Sequence, residues 1–265
     1  MFSIKYLILI LLATNIFIAC KPQLKSKNET HQTSDTLTYE IQNFSNEFGN
    51  CDSTTYLTDC ARIELSFPKF INSNINSVAD SLNSRILNYL LVPIYEKTPT
   101  SIQEKMDFFL NDYKGFLEES PNYKIEWYSE IFCNVIRNDS LLVVLDFSEV
   151  GYTGGAHPNS FQKFISINSQ NGKIVRKADF IKDEKSLEKV AEKIFRTQKE
   201  IPDEESLKDN NYFWNEGKFY LNDNFAILDS GLVFFYNNYE IASYASGQTK
   251  LFLPNSAISE FIKKD

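Results

Sequence analysis

The chain has 265 residues, which is enough for one large or two small folded domains with a hydrophobic core. Its 27 Lys and Arg residues against 35 Asp and Glu residues give a formal net charge of −8. This balance argues against partners that need a basic surface, such as nucleic acids and anionic lipid headgroups, and favours either simple solubility or a cationic partner.

Residues 1–19 are predicted to be a lipoprotein signal peptide. Lys5 precedes an apolar run of about fourteen residues, which is too short to span a bilayer comfortably. The run ends in Ala19 followed by Cys20, a pattern that resembles a bacterial lipobox with Phe17 in place of the usual Leu. We therefore expect Cys20 to be the lipidated first residue of the mature chain. The alternative is an ordinary secretory signal with an incidental Cys.

A lipid on Cys20 predicts attachment to a membrane of the bacterial cell envelope. Lys21, which follows it, differs from the Asp that retains lipoproteins at the inner membrane and favours the outer membrane. Residues 20–35 are polar, with Leu24 as the only sizeable apolar side chain, and this composition predicts a disordered tether. A tether of this length has a mean reach of about 20 Å, which would hold the body off the bilayer, in the periplasm or at the cell surface.

Cys51 and Cys60 are predicted to form a disulfide. They lie on either side of a polar stretch, in a compartment where disulfides persist. A zinc site is the rival interpretation, but no second Cys or His pair accompanies them. Residues 37–41 and 61–67 flank the two cysteines and alternate apolar with polar side chains, which predicts an antiparallel hairpin closed near its turn by the disulfide.

Two amphipathic helices are predicted next. Apolar side chains recur at helical spacing over residues 75–90, which Pro93 ends, and again over residues 102–117. Many of these side chains are aromatic. Stripes of this kind indicate packing against a hydrophobic core rather than a cofactor site.

Two long strands follow the helices, at residues 123–135 and 140–150, and a turn at Asn138 and Asp139 joins them. Cys133 falls on the apolar face of the first of these strands. It is therefore predicted to be a buried free thiol.

The remaining elements mix hairpins with helices. Residues 161–167 and 173–177 flank Asn171-Gly172, a pair typical of a two-residue hairpin turn, and a third helix is predicted around residues 187–195. Three strands and a short C-terminal helix complete the chain, at residues 225–228, 232–236 and 250–253 and after Pro254. The pattern predicts an α+β fold with antiparallel sheets and helices packed on one face, in two consecutive subdomains, 36–150 and 151–265.

Groups that could carry catalysis are few. The sequence has two His residues, and His31 lies in the predicted tether, so His157 alone cannot complete a His-rich zinc site. No nucleophile elbow, phosphate-cradling loop, dinucleotide fingerprint or Cys-x-x-Cys pair occurs. We therefore predict no catalytic residue, no metal site and no cofactor.

Paired carboxylates leave one enzymatic alternative open. Asp146 and Glu149 lie near the end of a predicted strand, and Glu126 and Glu130 share a face of another. Two carboxyl groups across a sugar-binding cleft are the usual machinery of glycoside hydrolysis. Acidic side chains on strand faces are more often simply solvated.

The segment from Gly151 to Asn159 is the most distinctive candidate site. Three glycines and a proline end a long apolar strand abruptly, which predicts a sharply shaped loop. The loop is either a binding loop or a structural crossover in which His157 caps hydrogen bonds. The candidate binding residues are Tyr152, Thr153, Gly154, Gly155, His157 and Asn159.

The run YTGGAHPN at residues 152–159, followed about seventy residues later by FAILDSGLVFFYNNYEIASYASGQTKLFLP, resembles a bacterial envelope family of paired domains of unknown function. The pair occurs in the extracellular part of the lysozyme-sensing anti-sigma factor RsiV and beside the catalytic domain of the peptidoglycan deacetylase PdaC. The resemblance implies a PdaC-like domain at 36–150 and an RsiV-like domain at 151–265. The sequence shows neither a sigma-binding segment nor a deacetylase domain, so neither of those activities is implied.

The resemblance implies binding rather than catalysis. We expect a membrane-anchored envelope lipoprotein that binds either a cell-wall glycan, such as peptidoglycan, or a cationic lysozyme-like protein, with no nucleic-acid partner. The alternatives are a polysaccharide hydrolase that uses paired carboxylates and a structural or assembly factor of the envelope.

Overall fold

The computed structural model describes residues 30–31, 37–51, 59–71, 76–92, 97–214 and 217–263. The predicted signal peptide and the lipidation site at Cys20 lie outside these ranges. Over the described ranges, no helix has both the length and the apolar character needed to cross a membrane.

A six-stranded sheet, β1 to β6 in spatial order, forms the first part of the fold. Its neighbouring strands are antiparallel except for β3 and β4, which are parallel. Parallel neighbours need a crossover connection, and the two predicted helices, α1 and α2, supply it. The strands are Thr30–His31, Tyr39–Gly49, Cys60–Phe70, Trp127–Asn138, Leu142–Tyr152 and Asn159–Asn168, and the helices are Asn76–Leu90 and Ile102–Glu119.

The predicted hairpin and its disulfide are confirmed. Strands β2 and β3 pair antiparallel from Tyr39 opposite Phe70 to Gly49 opposite Cys60. Cys51 is bonded to Cys60 with their Cα atoms 5.0 Å apart, and Cys60 is fully buried. The third cysteine of the described ranges, Cys133, is a buried free thiol, as predicted.

Two residues of the predicted tether of residues 20–35 lie within the described ranges. Thr30–His31 form β1, which pairs antiparallel with Glu40 and Tyr39 of β2. This pairing gives hydrogen-bond partners to backbone groups of β2, which would otherwise be an exposed sheet edge. The other residues of the predicted tether lie outside the described ranges.

Helices α1 and α2 cover one face of the first sheet. Ser101 caps α2 by accepting a hydrogen bond from the Glu104 backbone N–H, and the Glu104 carboxylate accepts from the Thr100 backbone N–H in return. The apolar stripes of both helices pack on the alternate side chains of the strands. This first core contains Ile63, Leu65, Leu82, Ile86, Met106, Tyr113, Trp127, Ile131, Cys133, Leu145 and Phe147.

A second sheet of three antiparallel strands, β7 (Phe225–Leu228), β8 (Gly231–Tyr236) and β9 (Thr249–Pro254), forms the last part of the fold. Helix α4 (Glu184–Gln198) packs on it, and the short helices α3 (Lys177–Phe180) and α5 (Asn255–Ile258) flank it. The turn into β8 requires glycine, because a Cβ on Gly231 would lie 2.1 Å from the Leu253 carbonyl oxygen.

The predicted strand at residues 173–177 is reduced to a single bridge between Ile167 and Ile174, and the chain then enters α3. The Asp179 carboxylate accepts a hydrogen bond from the Arg176 backbone N–H, which fixes the start of that helix. Local helix capping therefore ends the hairpin that the Asn171-Gly172 turn begins.

The two sheets pack directly against each other. Val144 and Phe164 on the free face of the first sheet contact Ala226, Val233 and Phe235 of the second. The ring centroids of Phe164 and Phe235 lie 6.2 Å apart in an edge-to-face arrangement. The α+β prediction is confirmed, but the division between the sheets lies later than the expected boundary at residues 150 and 151. That position falls inside β5, and β6 continues the first sheet to Asn168.

Candidate functional site

The glycine-rich segment forms the connection between β5 and β6. Gly154 has φ +90, a left-handed conformation that glycine adopts without strain. It passes close to the first core, because a Cβ built on it would lie 3.6 Å from the Trp127 Nε1 atom. Trp127 Nε1 is itself buried and has no hydrogen-bond partner among the described residues. The loop therefore packs against one end of the first core.

Tyr152 stabilises the loop from within. Its hydroxyl donates to the Gly155 carbonyl oxygen at 2.9 Å, and its ring lies 6.2 Å from the ring of Tyr128. The Arg62 guanidinium stands over the Tyr128 ring at 5.4 Å. Tyr152 thus has a structural role at the start of the loop.

The carboxylates of Glu126 and Glu130 share one cationic partner. Arg62 lies between them, with Nε 3.0 Å from Glu126 Oε1 and Nη2 3.4 Å from Glu130 Oε1. The three side chains form one partly exposed ion-pair network on the sheet. Their arrangement fits the solvated role that is usual for acidic residues on strand faces.

His157 joins the loop to the second sheet region. Its imidazole stacks on the ring of Tyr244, with centroids 3.6 Å apart and planes 17° apart. Nδ1 lies 2.9 Å from the Pro158 carbonyl oxygen, and Nε2 lies 3.2 Å from the Tyr239 hydroxyl. A carbonyl oxygen can only accept, so Nδ1 donates to it, and the Tyr239 hydroxyl can serve Nε2 as donor or as acceptor.

Both tyrosines come from the segment that follows β8. Tyr239 has φ +64, is 58% exposed, and reaches His157 from a turn. Tyr244 begins a single 3₁₀ turn, Tyr244–Ser246, and its hydroxyl donates to the Pro158 carbonyl oxygen at 2.9 Å. We call His157, Tyr239 and Tyr244 the aromatic clasp. Every polar atom of the His157 ring is engaged in it, which supports the structural interpretation of this residue.

Asparagine side chains next to the clasp cover the outer edge of β6. The Asn237 Oδ1 atom accepts from the Gln162 backbone N–H at 2.8 Å, and the Asn224 Oδ1 atom accepts from the Phe164 backbone N–H at 2.9 Å. Both asparagines also donate to the Gln162 carbonyl oxygen, at 3.0 and 2.8 Å. These side-chain amides provide the hydrogen-bond partners that a neighbouring strand would otherwise provide to the backbone of an edge strand.

An open groove lies beneath the loop, on the helix-covered face of the first sheet. It has a volume of about 380 Å³. The loop contributes Thr153 and Asn159 to its wall, whereas His157 and Tyr152 do not line it. The other lining residues are Phe109, Tyr128, Ser129, Glu149, Val150, Gly151, Ser160 and Phe161.

The sheet register brings the groove residues together. Glu149 of β5 lies opposite Phe161 of β6, and Gly151 lies opposite Asn159, so these positions share one face. Phe109 reaches the same place from α2, where its ring lies 6.3 Å from the ring of Trp127. Phe161 is 44% exposed. The groove thus offers two aromatic rings and a small number of polar side chains.

Two ionisable side chains on the helices lie near the Glu149 carboxylate. Burial, followed by charge repulsion from Glu149 and a hydrogen bond that the Tyr89 hydroxyl donates to its carboxylate, raises the pKa of Tyr89. Lys105 is only 7% exposed, and burial lowers the pKa of its ammonium group, while attraction to Glu149 opposes that shift. Glu149 is therefore electrostatically coupled to Tyr89 and Lys105.

Asp146 does not join Glu149. It lies opposite Phe164, whose side chain packs against the second sheet, so Asp146 faces away from the groove. Its Oδ1 atom accepts a hydrogen bond from Gln162 Nε2 at 2.8 Å. Burial raises the pKa of Asp146, against smaller opposing effects of this hydrogen bond and of Lys250. The two carboxylates suggested as a hydrolytic pair are on opposite faces of the sheet.

Part of the groove consists of residues that the sequence does not mark as a site. Phe109 belongs to the apolar stripe predicted to pack on the core, and no motif distinguishes Ser129 or Phe161. A signal was present in β6, because Phe161 and Asn159 are two residues apart and must share a strand face. Among the described residues, no group of three or more His, Cys, Asp or Glu side chains is arranged to hold a metal ion.

Two family models match successive parts of the chain. Residues 54–160 match the family described as deacetylase PdaC, and residues 178–256 match the family of unknown function DUF3298. The matches confirm the pairing of domains that the sequence resemblance predicted. The first ends inside β6 and the second begins inside α3. No curated protein matches the chain significantly.

Two crystal structures of DUF3298 family proteins share the fold. One, from Bacteroides fragilis, has 20% sequence identity and a TM-score of 0.69, and the alignment covers 87% of this chain and 96% of that one. Another, from Pseudomonas aeruginosa PAO1, has 18% identity and a TM-score of 0.61, covering 84% of this chain and 94% of that one. Both sheet regions therefore recur together in proteins with distant sequences.

Proposed function

Because this chain pairs a PdaC-type region with a DUF3298 region, we propose that it is an envelope lipoprotein that binds a cell-wall glycan without cleaving it. The observation that carries the proposal is the open groove beneath the glycine-rich loop. In this proposal, residues 1–19 are the signal peptide and Cys20 carries the lipid. The match to the deacetylase PdaC family supports a setting in which glycans of the cell wall are the available ligands.

The groove has the chemistry that a sugar chain needs. Phe161 and Phe109 offer apolar ring faces, on which the C–H faces of sugar rings pack. Thr153, Asn159 and Ser129 offer hydroxyl and amide groups for the sugar hydroxyls. A cleft that combines aromatic surface with a few fixed polar groups is a general form of a small-ligand site.

Binding is favoured over hydrolysis by the number of carboxylates. Glycoside hydrolysis generally uses two carboxyl groups on either side of the scissile bond. Glu149 is the only acidic side chain among the residues that line the groove, and Asp146 lies on the other face of the sheet. Glu149 is therefore assigned to hydrogen bonding with a sugar hydroxyl or an N-acetyl N–H group.

Calorimetric titration with a chitin tetrasaccharide and with glycan strands from purified peptidoglycan tests the proposal. We expect Phe161→Ala to weaken binding about tenfold, which corresponds to about 1.4 kcal/mol. Glu149→Gln keeps the shape of the side chain and should weaken binding by a similar factor. Phe252→Ala, which removes another exposed phenylalanine on β9, is the matched control and should leave affinity unchanged.

The glycan titration, a pull-down with lysozyme and an assay for released glycan fragments together separate the alternatives. Absence of binding to either glycan at low and at physiological salt would refute the proposal. Retention of lysozyme instead, with affinity falling as salt rises, would favour a cationic protein partner attracted by the net charge of −8. Release of glycan fragments that Glu149→Gln abolishes would favour the hydrolase.

The anchor is tested separately by Cys20→Ala. The parent chain should fractionate with membranes and incorporate labelled fatty acid, whereas the variant should lose both properties. Equal membrane association of parent and variant would contradict lipidation at this residue.

A further inference from the structure

A second cavity lies near the end of β6, whereas the groove lies near its start. The cavity is between α1 and the turn that follows β6. Its volume is about 500 Å³. Three cationic side chains and one carboxylate line it, in a chain whose net charge is −8. The lining residues are Arg85, Lys173, Arg176, Asp179, Asn168, Asn171, Ile174 and Val175. A local concentration of positive charge in an acidic protein focuses anions into that cavity.

The cavity wall is fixed by contacts between α1 and the turn. The Gly172 carbonyl oxygen accepts from Ser81 Oγ at 3.0 Å and from Arg85 Nε and Nη2 at 3.3 and 3.1 Å. A Cβ on Gly172, which has φ +67, would lie 2.9 Å from Ser81. The turn is therefore docked closely on the helix, and the half-buried Arg85 guanidinium is held in place with further N–H donors unused by these bonds.

The basic side chains at the cavity form no ion pair with another described residue. Within the described ranges, no carboxylate lies within ion-pairing distance of Arg85, Lys173 or Arg176. The single carboxylate of the lining, Asp179, already accepts the Arg176 backbone N–H at 2.7 Å. The three cations thus remain available to a ligand.

From this arrangement we propose that the cavity is a binding site for a phosphate group, carried by a small phosphorylated sugar. A guanidinium fork held by a backbone carbonyl is well suited to the oxygens of a phosphate, and Lys173 and Arg176 add charge. The Oδ1 atoms of Asn168 and Asn171 accept backbone N–H groups, which leaves their amide N–H donors for sugar hydroxyls. Ile174, which is 43% exposed, supplies an apolar wall. This site is independent of the glycan groove.

The test is calorimetric titration of the protein with N-acetylglucosamine 1-phosphate, inorganic phosphate and N-acetylglucosamine. We expect the phosphosugar to bind more tightly than inorganic phosphate, and the uncharged sugar not to bind at this cavity. The variant K173M/R176Q, in which both changes are at exposed side chains, should weaken phosphosugar binding at least tenfold. The control K185M/K193M removes the same charge from exposed positions on α4 and should change affinity less than twofold.

A parallel arm uses vesicles with and without phosphatidylglycerol. Retention on the anionic vesicles alone, lost in K173M/R176Q and kept in K185M/K193M, would support the phosphate site and assign its phosphate to a lipid headgroup. Equal weakening by both double variants would overturn the proposal, because it would show only diffuse attraction by surface charge. Failure of the phosphosugar, inorganic phosphate and the vesicles to bind would overturn it as well.

Discussion

The imidazole of His157 stacks on the phenol ring of Tyr244, with ring centroids 3.6 Å apart. The two residues are 87 positions apart in the sequence, and their contact links the loop of the first sheet to the region of the second. Tyr239 closes the arrangement through its hydroxyl, 3.2 Å from Nε2. The loop that the family resemblance marks is therefore held at one end by this clasp, while its other residues, Thr153 and Asn159, face the groove.

Loss of the clasp should loosen the contact between the two sheet regions. We expect His157→Ala and Tyr244→Ala each to lower the free energy of unfolding by about 1–2 kcal/mol, because each removes a stacked ring and a hydrogen bond. Tyr239→Phe removes only a hydroxyl and should cost about 0.5–1.5 kcal/mol. Urea unfolding measures these values. The exposed Phe213→Ala is the control, and a clasp variant as stable as this control would contradict the assigned role.

The Asn224 side chain should be important for stability because of its hydrogen bonds to the edge of β6. Its amide satisfies the buried Phe164 N–H, and Asn224 is only 6% exposed. Asn224→Ala leaves that N–H without a partner and should lower the free energy of unfolding by about 1–3 kcal/mol. Asn238→Ala, at a partly exposed amide that bonds Ser160 Oγ, should cost less. Equal costs for the two variants in urea unfolding would contradict the edge-covering role.

The disulfide between Cys51 and Cys60 closes a short loop at the end of the β2–β3 hairpin. C51A/C60A should lower the free energy of unfolding by about 2–3 kcal/mol, mainly through greater freedom of the unfolded chain. Reductant should destabilise the parent by a similar amount and leave the variant unaffected. A variant that still responds to reductant would show that another disulfide is present.

Asp146 should make stability depend on pH. Its pKa in the folded state is raised above the ordinary value of 3.8, so the folded chain binds this proton more tightly than the unfolded chain. The contribution of Asp146 to stability is therefore greatest at low pH and declines as pH rises from about 3.8 through the raised pKa. Asp146→Asn removes this decline, so the stability of the variant relative to the parent should increase over that range. Urea unfolding at several pH values measures the difference, and an identical pH dependence of parent and variant would contradict the prediction.

Local features of the fold were predictable from the sequence, because they depend on neighbours in the chain. The spacing of Cys51 and Cys60 between two alternating segments was enough to predict a bridged hairpin. The sequence also argues against a hydrolytic pair in β5. Asp146 and Glu149 are three positions apart, so their side chains must face opposite sides of a strand.

Distant relationships were not predictable in the same way. Nothing in the spacing of His157 indicates that Tyr239 and Tyr244 are its neighbours, because tertiary packing alone brings them together. The parallel pairing of β3 with β4 also depends on how the two helices cross the sheet. For the same reason, the boundary expected at residue 150 fell inside β5, since β6 belongs to the first sheet through pairing rather than through composition.

The central claim is that a cell-wall glycan binds in the groove beneath the glycine-rich loop. Its most direct test follows the backbone amide NMR signals of the protein during titration with a chitin tetrasaccharide. We predict that the signals of Ser129, Gly151, Thr153, Asn159 and Phe161 shift together with one dissociation constant, and that those of the cavity near Arg85 do not move. Shifts confined to other surfaces, or no shifts at saturating glycan, would contradict the account.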